Sequence, residues 1–583
     1  DICLPRGLAG ERVPTIVRQT RYFRRFRVHP ALRRALPPSL LDPMNAPMRE
    51  LFTSRGYAWV DVDVRGSGAS FGERPTPWYL EGEVEDGREI ADFIVKQPWS
   101  NGLIGSTGVS YDGTTAEFLG TLRHPAVRAV APRFSLFDVF TDIAFPGGLH
   151  NAYFTESWER ANGALDRNAP GEMVGLLYSI EARGLAEPGS RRDRALRVVD
   201  RPGAQAALRA VFNHALAGVA PVDDDARERV LAEALRSHAQ NWNVHTGAVH
   251  MTFRDDSPPN APLPGHTSED FSPHTYADRL DGVAVLSYGG LFDGGYGGAV
   301  VKRHRRIAGS ELLLGPWAHG GALDMDPDVR NKAAFDHATE LLRFFDAHLG
   351  RAREDRPRVR WYLMGEGAWR SGSKWPPDGT RAQSLHLAAD RKLARTPSEG
   401  IDVYESDPRG GSGVRTRWRT LLCPFLRADG KGRHGATIAY ETEPFDADTD
   451  VVGRPVLVLR VATSPGDCAI FAYVEEIDRE GDARVVTEGC LRTLHRTTLD
   501  ETVDPPRVVA SFLRKDAIAL GEGESRVHAI ELLPMALRVR RGHRLRLVLA
   551  GADVDHFTTP SGDARVTWRI DRAGSRLIVP VAP

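Results

Sequence analysis

The strongest constraint on this fold is a change of rhythm close to Arg351. Upstream of it, short apolar runs alternate with amphipathic stretches of helical period; downstream, the helical signal nearly vanishes. The first half begins with "VPTIV" and "YAWVDVDV", which read as strands, and "GEVEDGREIADFIVKQPW", which reads as a helix. It continues with "GLIGSTG" as a buried strand, "TTAEFLGTL" as a helix and "AVRAVAP" as another strand. Near-continuous apolar strands separated by helices require a mostly parallel sheet with both faces covered. Past Phe134 the alternation breaks. From about Leu149 to Pro273 the chain is rich in Ala, Arg, Leu and His, with helix-like stretches such as "AQAALRAVFNHALAGV" and "ARERVLAEALRSHAQNW". The sheet pattern then resumes with "GVAVLSYGG", "AVVKRHRRI", "SELLLGPW" and the amphipathic "NKAAFDHATELLRFFDAHLG".

Beyond Arg351, runs such as "PVLVLRVAT", "AIFAYVEEI", "HAIELLP" and "RLRLVLAG" lie between turn-rich spacers, the pattern of an antiparallel sandwich of jelly-roll type. The expected organisation is therefore an α/β domain in two parts, 1–145 and 274–350, a helical cap insertion at 146–273, and a C-terminal all-β jelly roll at 351–583. At 583 residues, two or three cores are expected.

Composition excludes more than it selects. A charged fraction of 26% and a formal net charge of -1 give no basic bias of the kind nucleic acid requires, and no apolar run approaches a membrane span. The four cysteines, Cys3, Cys423, Cys468 and Cys490, form no CxxC pair and lie near no His pair, so neither a disulfide framework nor a Cys-metal site is expected. No cofactor is implied. Room is left for a homo-oligomer. A cytoplasmic location is expected, although the chain opens on Asp rather than Met, which leaves open a longer N-terminus and a signal peptide. The predominance of Arg among basic residues suggests a GC-rich, bacterial genome.

Chemistry enters at "GSTGVSYDGTT", Gly105 to Thr115. A serine hydroxyl is a weak nucleophile until a base takes its proton and fixed donors receive the charge developing on the substrate oxygen. A tight strand-to-helix turn can thrust such a side chain off the end of a sheet, with glycines permitting the crowding. Gly108 stands two before Ser110, but Asp112 stands two after it and Gly113 follows, a looser G-x-S-x-x-G. A phosphate-binding loop would need a Lys-Ser or Lys-Thr pair that is missing. A structural serine in a Gly-rich bend is the plain alternative. Against it, "VLSYGGLFDGG" puts Asp293 just past one apolar strand and "LLLGPWAHGG" puts His319 just past the next. Ser, Asp and His then follow in the order that a nucleophile-elbow hydrolase requires. Capping by Asp293 and polar packing by His319 are their plainer readings.

The fragments "PTIVRQTRYFRR", "DVRGSGASFGE", "GVSYDG", "LFDGG" and "GPWAHG" resemble the cocaine-esterase and X-Pro dipeptidyl-peptidase-like hydrolases, the CocE/NonD family. The later "LRFFDAHLG", "MGEGAWR", "KWPP" and "HRLRLVLAGAD" extend the resemblance over essentially the whole chain. It implies an α/β-hydrolase domain interrupted by a helical cap and followed by a jelly roll. It also implies a serine esterase or amidase that works through an acyl-enzyme on a small ester, amide or short peptide and needs no cofactor. Ser110 would be the nucleophile, His319 the base and Asp293 the orienter of the imidazole. The oxyanion hole would combine the backbone N–H of Tyr111 with the hydroxyl of Tyr22. Asp63 and Arg65 are expected to brace the sheet's end.

Substrate class divides the family. Esterase action is favoured here; X-Pro dipeptidyl aminopeptidase and α-amino-acid ester hydrolase are the enzymatic alternatives, and a non-catalytic hydrolase-like binding protein is a third. The α-amino-acid ester hydrolases resemble this chain around Asp138 in "RFSLFDVF", where an acid helps hold the substrate ammonium. Their partner carboxylates, two and three positions after the catalytic acid, are replaced here by Gly295 and Tyr296. A buried ammonium needs several counter-charges or acceptors. The acids Asp223 to Asp225 read as a solvated helix start.

Overall fold

The computed structural model describes residues 1–583 except 9, 33–41, 43–44, 174–201, 224, 226, 322–324, 327–334, 351–356, 414–415, 420–434 and 520. Its first layer is a nine-stranded sheet. In chain order the strands are β1 (Ile2–Cys3), β2 (Val13–Thr20), β3 (Ala58–Asp63), β4 (Ser100–Val109), β5 (Val127–Arg133), β6 (Ala284–Gly290), β7 (Glu311–Gly315), β8 (Val359–Leu363) and β9 (Ala368–Gly372). They lie side by side as β1-β3-β2-β4-β5-β6-β7-β8-β9, parallel throughout except for the antiparallel edges β1 and β9.

Six helices matter here: α1 (Ala46–Ser54), α2 (Glu85–Val95), α3 (Tyr111–Thr121), α4 (Ala152–Asp166), α5 (Gly294–Arg306) and α6 (His337–His348). Phe52 of α1 and Phe344 and Phe345 of α6 pack with Ile16 and Trp59 on one face of the sheet. Ile94 of α2, Leu119 of α3 and Ala299 of α5 pack with Val17 and Ile104 on the other. Both faces are thus covered, which is why β4 to β7 read as apolar runs rather than alternating strands.

Asp63 accepts bonds from the backbone N–H (2.6 Å) and Nη1 (2.6 Å) of Arg24 and from the Ala69 N–H (2.9 Å), bracing the end of β3 as expected. Arg65 pairs with Asp86. Between β5 and β6 the described part of the insertion is mainly helical. The stretch "AQAALRAVFNHALAGV" differs from its helical period at its end: Pro202–Ala215 is a helix, but Leu216–Val219 is a strand paired with Phe26–Val28. Cross-strand pairing with an early loop overrides the local signal. Asp225 accepts from the N–H groups of Val230 and Leu231 at the start of the next helix, while Asp223 is solvated; Asp224 lies outside the described residues.

β8 and β9 lie beyond Arg351, so the first sheet extends past the point where the helical pattern stops. With no helix after β8, a hairpin is the local option, and the sequence shows only strands. The C-terminal domain that follows is built of strands. Its 15-residue strand Thr567–Val581 pairs with Arg381–Leu387, Ile401–Glu405 and Val456–Ser464, and Leu457, Leu459, Ile470, Leu547 and Trp568 share its core. That core is continuous with Leu291, Phe292 and Trp361 of the first domain. Cys3, Cys468 and Cys490 are free, and Cys423 lies outside the described residues. Among the described residues no helix is long and apolar enough to cross a membrane.

Candidate active site

Ser110 stands alone between strand and helix. β4 ends at Val109, α3 begins at Tyr111, and Ser110 has φ 62° and ψ -125°. A non-glycine residue in that region is strained and persists only where its surroundings over-determine it. They do so here: the Ser110 N–H bonds the Arg133 carbonyl (3.1 Å), and its own carbonyl accepts from Gly113 (3.0 Å) and Thr114 (3.1 Å). A Cβ at Gly108 would sit 2.3 Å from the Asp112 Cβ, and one at Gly113 would sit 2.8 Å from the Ser135 Cβ. Both glycines are therefore required by close packing. The position two after the serine tolerates Asp112 because Arg18 Nε lies 2.9 Å from its buried carboxylate, whose pKa burial pushes up to about 6. As the first helical residue, Tyr111 has an N–H with no partner inside the helix.

The sheet then presents Asp293 and His319. A Cβ at Gly290, the last residue of β6, would lie 2.1 Å from the Trp317 carbonyl, so the ends of β6 and β7 are pressed together. Asp293 stands at the N-cap position of α5, fully buried, and its Oδ1 lies 2.8 Å from His319 Nδ1. Capping does not explain it, since its side chain makes no cap bond. The carboxyl's pKa is pushed up to about 6 by burial, opposed by the imidazole. Gly320 and Gly321, with φ 76° and 77°, turn the chain just past His319.

Tyr22, two residues past β2, reaches the same place. Its hydroxyl lies within reach of the Ser110 side chain and accepts from Trp158 Nε1 of α4 at 3.3 Å. Burial raises its pKa, so it stays a neutral donor. The Tyr111 ring is stacked between Trp78 (4.4 Å) and Trp158 (6.4 Å), and its hydroxyl donates to Glu83 at 2.7 Å. Burial pushes the Glu83 carboxyl up to about 7. Arg21, buried beside them, lies 5.3 Å over the Trp158 ring and pairs with Asp166 at 2.8 Å.

Asp138 has other partners. It accepts from the N–H (3.2 Å) and hydroxyl (2.5 Å) of Thr141, and Arg254 Nη2 lies 2.7 Å from its carboxylate. Arg254 also holds Glu269 at 2.6 Å, and His274 bonds Glu269 at 3.1 Å. Asp138, Glu269 and His274 are close enough together to suggest a cation site, but the Arg254 guanidinium already supplies the positive charge between the two carboxylates.

Two residues at the centre escaped the sequence reading as functional groups. Tyr296 brings its hydroxyl within reach of the Ser110 side chain and lays its ring 4.9 Å from the His319 ring. Its spacing of three from Asp293, one helical turn, was the available signal. Trp158 comes from the insertion, and nothing local in "ESWERAN" marks it.

The order of the sheet, the sharp strand-turn-helix at Ser110 and the Asp–His pair on neighbouring strand ends define the class: an α/β hydrolase with a separate all-β C-terminal domain. The sequence profile of the X-Pro dipeptidyl-peptidase (S15) family matches residues 1–321, and that of the X-Pro dipeptidyl-peptidase C-terminal non-catalytic domain matches residues 351–570. The chain belongs to the S15 family of serine hydrolases, which includes the CocE/NonD hydrolases it resembles in sequence. It is 39% identical to a protein of Mycobacterium tuberculosis provisionally named a serine esterase, over 100% of this chain and 92% of that one. It is 25% identical to the cocaine esterase of a Rhodococcus species, over 89% and 84% of the two chains. Among solved structures, a CocE/NonD family hydrolase from Staphylococcus aureus has the same fold, with a TM-score of 0.68 at 18% identity over 100% and 90% of the chains. An α-amino acid ester hydrolase scores 0.63 at 19% identity over 100% and 94%.

Proposed function

We propose that this serine hydrolase cleaves neutral carboxylic esters through an acyl-enzyme on Ser110. The observation that carries this reading is the Asp293–His319 bond of 2.8 Å placed at the strand ends beside the strained Ser110 turn. In acylation, His319 takes the Ser110 proton as Oγ attacks the ester carbon, and Asp293 holds the imidazole by Nδ1 and stabilises the imidazolium. Negative charge moves to the carbonyl oxygen, where the Tyr111 N–H and the Tyr22 hydroxyl are the donors. His319 then protonates the leaving alcohol. Water repeats the sequence on the acyl-enzyme and releases the acid.

The neutral-ester preference rests on charge. An aminopeptidase or amino-ester hydrolase must compensate a free ammonium in a largely desolvated pocket. Here Asp138 is already engaged by Arg254, and a Cβ at Gly295 would lie 1.4 Å from the Asp142 carbonyl oxygen, which forbids an acid at that position. Tyr296 is neutral, its pKa raised well above the usual phenol range by burial.

The test is labelling by a fluorophosphonate probe, with the modified peptide mapped, followed by a panel of neutral acyl esters, α-amino-acyl esters and Xaa-Pro anilides. Label on Ser110 and higher kcat/KM for the neutral esters are expected. Absence of label points to a binding protein. Faster cleavage of an amino-acyl substrate that collapses selectively in Asp138→Asn overturns the neutral-ester reading.

A further inference from the structure

The helix turn that carries Asp293 also carries Tyr296, and the two are tied by a bond from the Tyr296 N–H to the Asp293 carbonyl at 2.9 Å. Around them the run "DGGYGG" is packed without slack: a Cβ at Gly295 would strike the Asp142 carbonyl, and one at Gly297 would lie 2.6 Å from the Gly290 carbonyl. The phenol is therefore placed by backbone packing. It is 4% exposed, with its ring on the imidazole and its hydroxyl within reach of the Ser110 side chain.

Two phenols thus reach Ser110, and their surroundings differ. Tyr22 packs edge-on to the Tyr111 ring at 6.2 Å and is steadied by Trp158, so it keeps company with the residue whose N–H is the other oxyanion donor. Tyr296 lies against His319, on the side from which a proton returns to the serine oxygen. A donor aimed at Oγ does little for attack, because it draws charge away from the nucleophile. It assists departure, because it stabilises the charge that gathers on Oγ as the bond to carbon breaks.

We propose that Tyr296 is a further catalytic residue, specific to deacylation, whose hydroxyl hydrogen-bonds the Ser110 oxygen as the acyl group leaves it. Water attacks the acyl carbon and gives its proton to His319. The tetrahedral adduct then collapses: the carbon–Oγ bond breaks, its electron pair goes to Oγ, and His319 returns the proton to Oγ. Tyr296 keeps its own proton throughout and contributes one hydrogen bond. The products are the free acid and Ser110 restored.

The inference rests on Ser110 being the nucleophile, so the experiment separates the two. Separate samples of wild type and Tyr296→Phe are either labelled with a fluorophosphonate or, unlabelled, mixed with p-nitrophenyl butyrate, and decay of the acyl-enzyme in the unlabelled samples is followed by time-resolved intact-protein mass. Failure of the wild type to label overturns the serine reading and this one with it. With wild type labelled, Tyr296→Phe is expected to label at an unchanged rate, which also shows an intact pocket. Its acyl-enzyme should decay roughly tenfold or more slowly, within the range for losing one transition-state donor. A burst of nitrophenol should appear, with kcat and KM falling together and kcat/KM nearly unchanged. Equal decay rates in the two proteins overturn the proposal. A kcat/KM that falls as far as the decay rate also overturns it, since Tyr296 would then serve acylation. If Tyr296→Phe labels poorly, the same decay measured in Tyr296→Trp and Tyr296→His decides: slow decay in Trp with recovery in the hydroxyl-free donor His supports it, and equal decay in both overturns it.

Discussion

Asp293 and Asp138 are two buried acids near the first turns of α5, yet they are held in opposite electrostatic states. Asp293 faces a single imidazole, its second oxygen has no hydrogen-bond partner among the described residues, and burial pushes its pKa up to about 6. Asp138 faces the Arg254 guanidinium, with Lys302 and His274 nearby, and is held well below the usual carboxylate range. Burial raises a carboxyl pKa, and a fixed cation lowers it more. An acid whose partner changes charge during a reaction can take part in that reaction, whereas an acid locked to a permanent cation serves the architecture. The same contrast explains why the resemblance of Asp138 to an ammonium-binding acid does not carry its chemistry with it: the cation it would greet is already part of the chain.

The largest effect expected is at Ser110, the proposed nucleophile, on the Asp293 side. Ser110→Ala should abolish probe labelling and lower ester hydrolysis by roughly 10⁶-fold, as removal of the central member of such a unit does. A folded Ser110→Ala with wild-type activity would falsify the serine mechanism and make the strained turn merely structural.

Asp293→Asn comes next. It keeps the shape but loses the charge that holds the imidazole in its working tautomer, and a fall of about 10⁴-fold in kcat is expected. In the wild type, protonation of Asp293 does the same reversibly. Because its pKa is raised in the folded protein, kcat/KM should fall as pH drops through about 6. The stability consequence has the opposite sense. The folded state holds this proton more tightly than the unfolded chain, so the contribution of Asp293 to stability is greatest below the ordinary carboxylate pKa and is lost as pH rises through about 6. Denaturant midpoints measured across that range for wild type and Asp293→Asn check the sign.

Tyr22→Phe should lower kcat by roughly 10²- to 10³-fold with substrate affinity nearly normal, the usual cost of one oxyanion donor. A raised KM at unchanged kcat instead makes Tyr22 a binding residue.

The smallest effect on activity is expected at Asp138, and it sharpens the contrast by appearing in stability. Asp138→Asn leaves Arg254 with Glu269 alone and should cost about 2 kcal/mol at neutral pH, as loss of a hydrogen bond to a charged group does. Since Asp138 is lowered in the folded state, its stabilisation is present above the ordinary carboxylate pKa and is lost only as pH falls through the still lower folded value. Thermal melts should show the loss, while the ratio of neutral-ester to amino-ester kcat/KM stays put.

Much of this is legible in the sequence. The strands β2 to β7 and the helices between them announced themselves because a doubly covered parallel sheet writes its burial as continuous apolar runs. Ser110, Asp293 and His319 were legible because each stands at the end of such a run, where the chain must turn. The Leu216–Val219 strand was not, because its partner, Phe26–Val28, is far away in sequence and the local period points to helix. The extension of the first sheet by β8 and β9 was hidden for a related reason: a strand carries no mark of which sheet it joins.

By itself, then, the sequence determined the alternation of elements, the places where they end and the residue types waiting there. Those follow from local chain stiffness and from which side chains avoid water, and both are written in nearest neighbours. Only the tertiary structure decided which charges meet. It brought Arg254 to Asp138, Trp158 to Tyr22, and the Tyr296 phenol to both His319 and Ser110. The physical reason is that an electrostatic partner acts over a few ångströms of space without regard to sequence distance. Two aspartates with similar apolar neighbours along the chain can therefore end with pKa values displaced in opposite directions.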